Sequence, residues 1–215
     1  MKENLRVAVC LYGQPRNFEL SWPTIKKYLV ENNNADLFFH FWTSHPLESH
    51  CFGDDRDRNW QVIEDNKILE WTNPSAYLFE EQVNFDTSKY KKAHSPVFNL
   101  LSFTYSLQKS HSLYGENDYD IVVHCRADLC FNDFVNFKDV SDEVLYIEHR
   151  GTSGDQFAYS TAKTMKLFSS CFEHFDALYA QLGYLHAETF FRLHMQNNNI
   201  AILDSGSPYK ICKPK

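Results

Sequence analysis

Two polar segments that directly follow apolar runs contain residue types that bind phosphate, and Gly13-Gln14-Pro15-Arg16 is the first of them. Glycine permits a tight turn and a close approach of a ligand to the backbone. The planar guanidinium group of Arg16 carries donors that suit a phosphate. The segment fits neither the G-x-G-x-x-G pattern nor the P-loop, so these two nucleotide-binding motifs are excluded. It indicates either an anion-binding turn or a plain strand-to-helix turn with a surface arginine.

The second segment joins Arg126 to Asp128 at the end of the apolar run 118–124. Residues two apart on an extended chain face the same side, so these two side chains project together. Asp128 could hold a divalent cation, Mg²⁺ or Mn²⁺, that bridges two phosphate oxygens. Arg126 could instead neutralise a diphosphate group directly. The alternative is a structural ion pair at the end of a strand.

Two further carboxylates are candidates for a chemical step. Asp155 lies at 151–156, where two glycines among small polar residues are typical of a loop that covers a ligand. Its carboxylate could orient a ligand hydroxyl, or it is an ordinary turn residue. Glu188 begins a short predicted helix, where it could take a proton from a hydroxyl group as a general base. The simpler interpretation is that Glu188 complements the helix dipole.

Apolar runs that predict buried strands alternate with segments of helical periodicity. We predict strands at 6–12, 36–42, 76–79, 118–124, 144–147, 156–159 and 200–203, and helices after residue 17 and at 59–71, 95–115, 162–182 and 186–195. This alternation predicts a single α/β domain over 1–215, with a mostly parallel, Rossmann-like sheet and helices on both faces. Ligands of such folds bind at the carboxyl ends of the strands, where we expect both arginine segments and the turn at 154–155.

Charge and cysteine usage limit the partners and the compartment. The net charge is -7 and no block of lysine and arginine occurs, so the chain is a poor candidate for binding nucleic acid. No C-x-x-C pair marks a zinc site, and Cys10 and Cys125 lie in apolar runs as expected of buried free thiols. No segment has the pattern of a signal peptide or the length of a membrane span. We therefore expect a cytoplasmic protein whose contact with a membrane would be peripheral.

The histidines favour structural roles. His40 and His124 lie inside apolar strands, so we predict hydrogen-bonded core histidines rather than metal ligands. His45, His50 and the adjacent Cys51 have a spacing that fits neither a helix face nor a zinc finger, and a surface loop explains them better than a metal site.

Five segments follow one another between residue 6 and about residue 190. They are Gly13-Gln14-Pro15-Arg16, then the strand from Asp36 through His40 to Trp42, then the segment from Tyr119 and Asp120 to Arg126, Asp128 and Leu129, then Asp155-Gln156-Phe157, and finally Ala187-Glu188. Each motif is weak alone, but their order and spacing are moderately specific. In this order they resemble a family of GT-A-type glycosyltransferases found in bacterial surface-polysaccharide gene sets and in viruses.

The resemblance implies a GT-A fold, a nucleotide-sugar donor and transfer of one sugar to a hydroxyl acceptor on a glycan or a lipid-linked saccharide. The turn with Gly13, Gln14 and Arg16 would then hold the nucleotide. Asp128 would contact the metal or the diphosphate, and Glu188 or Asp155 would face the acceptor.

One position departs from the pattern of the family. Many GT-A enzymes carry two acids in a D-x-D motif, but this chain has Arg126 where the first acid would stand. The departure is compatible with a metal site built on one aspartate or with a metal-free site that uses Arg126. It leaves open a non-catalytic nucleotide-sugar-binding protein with a degenerate GT-A fold. A nucleotidyltransferase is a third hypothesis, although that class usually needs several acids around two metal ions.

Overall fold

The computed structural model describes residues 5–43, 63–91, 93, 96–115, 118–137, 140–148 and 156–212. The strands of this part of the chain are β1 (Val7–Gly13), β2 (Asp36–Trp42), β3 (Ala76–Glu80), β4 (Ile121–Arg126), β5 (Leu129–Phe131), β6 (Val144–Ile147), β7 (Phe157–Ser160), β8 (Ala201–Asp204) and β9 (Tyr209–Ile211). The helices are α1 (Phe18–Ile25), α2 (Asp65–Thr72), α3 (Val97–Ser112), α4 (Ala162–Ser169), α5 (Phe175–Leu182) and α6 (Ala187–Asn197).

The central sheet has the strand order β3-β2-β1-β4-β7-β6-β8. β1 lies between β2 and β4 and is parallel to both, and β3 is parallel to β2. β7 runs antiparallel to its neighbours β4 and β6, while β6 and β8 are parallel to each other. The predicted α/β fold with a mostly parallel sheet is therefore confirmed. The chain crosses from β1 to β2 on one side and later to β4 on the other, which makes β1 and β4 the switch point of the sheet.

Apolar residues on both faces of the inner strands explain why helices cover both sides of the sheet. Ala8, Cys10 and Tyr12 of β1 pack into a core with α3, α4, α5 and α6. Val9 and Leu11 point the other way, into a core that includes α1 and α2. Because consecutive side chains of a strand face opposite sides, a run without polar residues can only be buried between two layers.

The predicted helix at 162–182 is wrong in one respect, because the structure divides it into α4 and α5. A 3₁₀ turn over Ser170–Phe172 separates the two helices. The carbonyl oxygen of Leu167 accepts hydrogen bonds from the Ser170 hydroxyl (2.8 Å) and from Nε2 of His194 (2.7 Å). These side chains compete with the backbone for the helical acceptor, which local apolar periodicity does not reveal.

A second, two-stranded sheet was not predicted from the sequence. β5 pairs antiparallel with β9, and a disulfide joins Cys130 of β5 to Cys212 just beyond β9. Their Cα atoms lie 5.4 Å apart, which suits a disulfide. Cys10, Cys125 and Cys171 are free and buried, as predicted for the first two.

The disulfide affects the argument for a cytoplasmic location. Disulfides persist mainly in oxidising compartments, so cysteine usage no longer favours the cytoplasm and a cytoplasmic location stays a prediction. Within the described ranges, no helix combines the length and the apolar character that crossing a membrane requires.

The buried histidines follow the prediction in part. His40 is fully buried and has a partner at each ring nitrogen. His124 is also fully buried, and its Nε2 lies 3.2 Å from Nδ1 of His111, but its Nδ1 has no partner among the described residues. Burial lowers the pKa of His111 to about 3 and also lowers the pKa values of His40, His124 and His194.

We expect the free energy of unfolding to fall as the pH is lowered below about 6.5, the pKa of an unfolded histidine. The folded pKa values of these histidines are lower, so below pH 6.5 the unfolded state takes up more protons than the folded state. Each histidine then removes about 1.4 kcal/mol per pH unit until the pH reaches its folded pKa. Urea unfolding at pH 7.5, 6.5 and 5.5 measures the slope. His111→Gln should reduce the slope by the contribution of one histidine, whereas replacing the exposed His174 by Gln should not. A flat wild-type profile would refute the prediction.

Candidate functional site

A cavity of about 310 Å³ opens at the carboxyl ends of β1, β2 and β4. Tyr12 and Gly13 line it from β1, Trp42 from β2 and Arg126 from β4. It therefore lies at the switch point of the sheet, where open α/β folds bind their ligands.

The two arginine segments meet in this cavity. Its lining includes Gly13, Gln14, Arg16, Arg126 and Asp128, the five residues expected to bind a donor. The parallel register of β1 and β4 explains the meeting, because it places Tyr12 opposite Arg126 and so ends both strands at the same level. Segments more than 100 residues apart in the sequence thus form one wall.

The turn after β1 is held in a defined shape. Gly13 has a φ of +92°, which glycine adopts far more readily than other residues. Its N–H donates to Oγ of Ser106 on α3 at 2.8 Å. Nε of Arg16 donates to Oε1 of Gln14 at 2.7 Å, so the glutamine orients the guanidinium group.

Arg126 and Asp128 form a bidentate ion pair. Nε donates to Oδ1 at 3.0 Å and a terminal guanidinium nitrogen donates to Oδ2 at 2.5 Å. The Asp128 side chain is 8% exposed and that of Arg126 26%. The pair is therefore the structural one considered as an alternative, but both groups still line the cavity.

This pairing decides how well a divalent cation would fit. Both carboxylate oxygens of Asp128 already accept from Arg126. Asp128 is the only carboxylate among the described lining residues, and the described part of the chain contains no group of three His, Cys, Asp or Glu side chains arranged for a metal ion. Mg²⁺ is usually held by one or two carboxylates together with waters and substrate phosphates, and a single carboxylate that is already paired with an arginine fits this role poorly.

The charged groups of the cavity favour binding of an anion, although the protein as a whole is acidic. Its charged lining residues in the described ranges are Arg16, Arg126 and Asp128, which leaves a positive excess, whereas the whole chain carries -7. The first turn of α3 and Ala187, the first residue of α6, also line it. Helix N-termini carry partial positive charge and unpaired N–H groups, which attract anions.

Aromatic rings and amides complete the lining. Tyr12, Trp42, Phe98 and Phe103 provide apolar surface, and the Tyr12 and Phe103 rings meet edge to face at 5.2 Å. Gln82, Asn99 and Ser102 add neutral polar groups. Tyr12 and Trp42 end predicted strands, so the carboxyl-end rule could have found them. The others lie on a loop and a helix whose local sequence shows no signal for a site.

A family model described as a domain of unknown function (DUF7796) matches residues 2–214. The chain belongs to this family. The match spans both sheets and every residue that lines the cavity, so the cavity is part of the DUF7796 domain. A comparison with curated proteins found no match.

Of the two candidate carboxylates of the DUF7796 domain, the structure describes Glu188 alone. Glu188 lies exposed in the first turn of α6, next to the lining residue Ala187, and does not line the cavity itself. Asp155 falls outside the described residues, as do His45, His50 and Cys51. Next to Asp155, the carbonyl oxygen of Gln156 accepts from the N–H of Arg126 at 2.9 Å.

Ser106, His40 and Glu80 form a chain of side-chain hydrogen bonds beside the cavity. Ser106 Oγ is 2.7 Å from His40 Nδ1, and His40 Nε2 is 3.0 Å from Oε2 of Glu80. The distances resemble those of a hydrolytic triad. Ser106 is fully buried, however, and its Oγ already accepts from the N–H of Gly13. A substrate carbonyl cannot reach this hydroxyl group, which excludes it as a nucleophile.

Proposed function

We propose that this domain is a GT-A-type glycosyltransferase, which moves a sugar from a nucleotide-sugar donor to a hydroxyl group of a glycan or a lipid-linked saccharide. The observation that carries the proposal is the convergence of Arg16 and Arg126 in one cavity at the switch point of the sheet. Two guanidinium groups suit the two phosphates of a donor. The aromatic lining suits a base or a sugar ring, and the resemblance of the motifs supplies the reaction class.

In the proposed reaction the two arginines stabilise the leaving group. The bond from the anomeric carbon to the diphosphate breaks, and negative charge develops on the leaving group. Arg16 and Arg126 would stabilise that charge, and preorganised donors of this kind contribute most to such steps. Asp128 would hold Arg126 in the required orientation through the bidentate pair. No cation is needed in this scheme, which agrees with the poor fit of the described residues to Mg²⁺ or Mn²⁺.

The acceptor side depends on the stereochemistry. An inverting reaction needs a base for the acceptor hydroxyl, and we assign that role to Glu188 ahead of Asp155. Glu188 adjoins Ala187 at the edge of the cavity and is exposed to an incoming acceptor. A retaining reaction would not need this base.

A panel of UDP-, GDP-, CMP- and dTDP-sugars, each with Mn²⁺, Mg²⁺ or EDTA, tests the proposal. We expect nucleotide release from one donor, including in the EDTA sample. Arg16→Ala should lower kcat/KM about 100-fold, the usual cost of one group that stabilises developing charge. Arg192→Ala is the matched control, because Arg192 is exposed on α6 and does not line the cavity. It should leave kcat/KM unchanged.

Other outcomes point elsewhere. No nucleotide release and no thermal shift with any donor would refute the glycosyltransferase. In a parallel sample with a nucleoside triphosphate and a sugar 1-phosphate, release of pyrophosphate would instead identify a nucleotidyltransferase, because the bond between the α- and β-phosphates of the triphosphate breaks as the nucleotide is transferred. A non-catalytic nucleotide-sugar-binding protein is the second candidate, because Asp128 is the only carboxylate in the described lining and is occupied by Arg126. Donor binding without turnover across many acceptors would establish it.

A further inference from the structure

A chain of side-chain hydrogen bonds runs from the protein surface to the turn that carries Arg16. It begins at Glu80, whose side chain is 31% exposed, and passes through the fully buried His40 and Ser106. It ends at the N–H of Gly13, which donates to Ser106 Oγ at 2.8 Å. Its members come from β1, β2, β3 and α3, so it links three strands and a helix next to the cavity.

The carboxylate of Glu80 sets the direction of the chain. A carboxylate only accepts, so the neutral His40 ring carries its proton on Nε2 and donates it to Glu80. Nδ1 is then a bare acceptor, and the Ser106 hydroxyl donates to it at 2.7 Å, a shorter distance than the 3.3 Å to the carbonyl oxygen of His40. The hydroxyl oxygen is left to accept from Gly13. Tyr105 donates to Glu80 at 3.0 Å and keeps the carboxylate in place.

The pKa shifts of His40 and Glu80 agree with these roles. Burial lowers the pKa of His40 more strongly than its contact with Glu80 raises it, so the ring is neutral near pH 7. Partial burial raises the pKa of Glu80, but hydrogen bonds from His40 and Tyr105 bring it below its ordinary value. The pair is therefore a neutral imidazole and an ionised carboxylate.

Gly13 is the point where β1 leaves the sheet. The next three residues contain Gln14 and Arg16, which interlock and line the cavity. Ser106 itself does not line the cavity, and its hydroxyl reaches the turn from behind. By holding the N–H of Gly13, the Ser106 hydroxyl group also holds the start of the turn from which the Arg16 side chain extends.

We propose that Ser106, His40 and Glu80 are positioning residues that hold the turn from Gly13 to Arg16 in the shape that binds a diphosphate. The inference rests on the proposed function, because it takes the cavity to be the diphosphate site. It assigns a role to three residues that do not touch the ligand. Their hydrogen bonds reach the cavity through Gly13, and the His40 ring also meets the ring of the lining residue Trp42 edge to face at 4.7 Å.

Two substitutions of His40 separate positioning from simple packing. His40→Asn places an amide oxygen near the position of Nδ1 and keeps the acceptor for Ser106. His40→Gln places its amide near the position of Nε2, so it keeps the contact with Glu80 but loses Ser106. Calorimetry with inorganic pyrophosphate should give a Kd for the asparagine variant close to that of the wild type. For the glutamine variant and for Ser106→Ala we expect binding about 10-fold weaker, the value of one lost hydrogen bond.

Thermal unfolding of each variant accompanies the binding measurement. Ser112→Ala is the control for Ser106→Ala, since Ser112 is exposed on the same helix and its hydroxyl group bonds only to the carbonyl oxygen of Lys109 among the described contacts. It should leave Kd unchanged. If the two His40 variants bind pyrophosphate equally, or if affinity simply follows stability, the positioning role is refuted. If the wild-type protein does not bind pyrophosphate, the diphosphate site and the proposed function fail as well.

Discussion

Reducing the disulfide between Cys130 and Cys212 should lower the free energy of unfolding by about 3–4 kcal/mol. The bond closes a loop that spans 82 residues of sequence, and a cross-link over a long loop removes much of the entropy of the unfolded chain. It also secures β9, which pairs only with β5 in the described part of the chain. We expect this to be one of the largest effects of any local change.

Urea unfolding of the wild-type protein with and without a reductant measures the effect. The variant with both Cys130→Ser and Cys212→Ser should match the reduced wild type and should not respond to the reductant. That variant is the control for reductant acting elsewhere, because Cys10, Cys125 and Cys171 remain in it. An unchanged unfolding midpoint in reduced wild-type protein would contradict the prediction.

The disulfide lies close to the site. The N–H of Cys212 donates to the carbonyl oxygen of Asp128 at 2.8 Å, and Nδ2 of Asn17 donates to the carbonyl oxygen of Cys212 at 3.3 Å. Asn17 follows Arg16 directly. Cys212 thus contacts Asp128 of the second arginine segment and the residue that follows the first segment.

The second large effect is expected at the ion pair in the cavity. Arg126→Met should lower the free energy of unfolding by about 2–4 kcal/mol, because it leaves the carboxylate of Asp128 buried without its partner. The aspartate side chain is only 8% exposed, so water replaces the guanidinium group only in part. The range lies somewhat below that of fully buried pairs, since the arginine is partly exposed.

A double-mutant cycle tests this expectation. Adding Asp128→Asn to Arg126→Met removes the unpaired charge and should restore part of the lost stability. The exposed pair of Lys163 and Asp142, with side chains 73% and 52% exposed, is the control. Lys163→Met should cost less than about 1 kcal/mol, as exposed ion pairs usually do. Equal losses for Arg126→Met and Lys163→Met would show that burial of the carboxylate does not matter.

The fold class and the place of the site followed from local patterns. Continuous apolar runs at β1, β2 and β4 can only be strands covered on both faces, and alternation with helices makes them parallel. Residues that follow such strands must lie at the same edge of the sheet, so Gly13 and Arg126 were expected together. The structure confirms that expectation because the register of β1 and β4 ends both strands at one level.

The features of the fold that the sequence did not predict are determined by long-range contacts. The antiparallel direction of β7, the pairing of Cys130 with Cys212 and the break between α4 and α5 all depend on partners distant in the sequence. Local periodicity records whether a side chain is buried, but not which element buries it. The same holds for the exposed position of Glu188, since either a catalytic base or a helix-dipole residue fits its place in the sequence.

The amino-acid sequence by itself determined a mostly parallel α/β sheet and the edge at which two arginine segments would meet, because local patterns record burial and the alternation of strands with helices. Only the tertiary structure decided that Arg126 pairs with Asp128, that Ser106 accepts a hydrogen bond from Gly13 and that His40 bonds to Ser106. Hydrogen bonds of this kind need atoms placed within about 3 Å of each other. Such placement results from packing of the whole domain, which no short segment encodes.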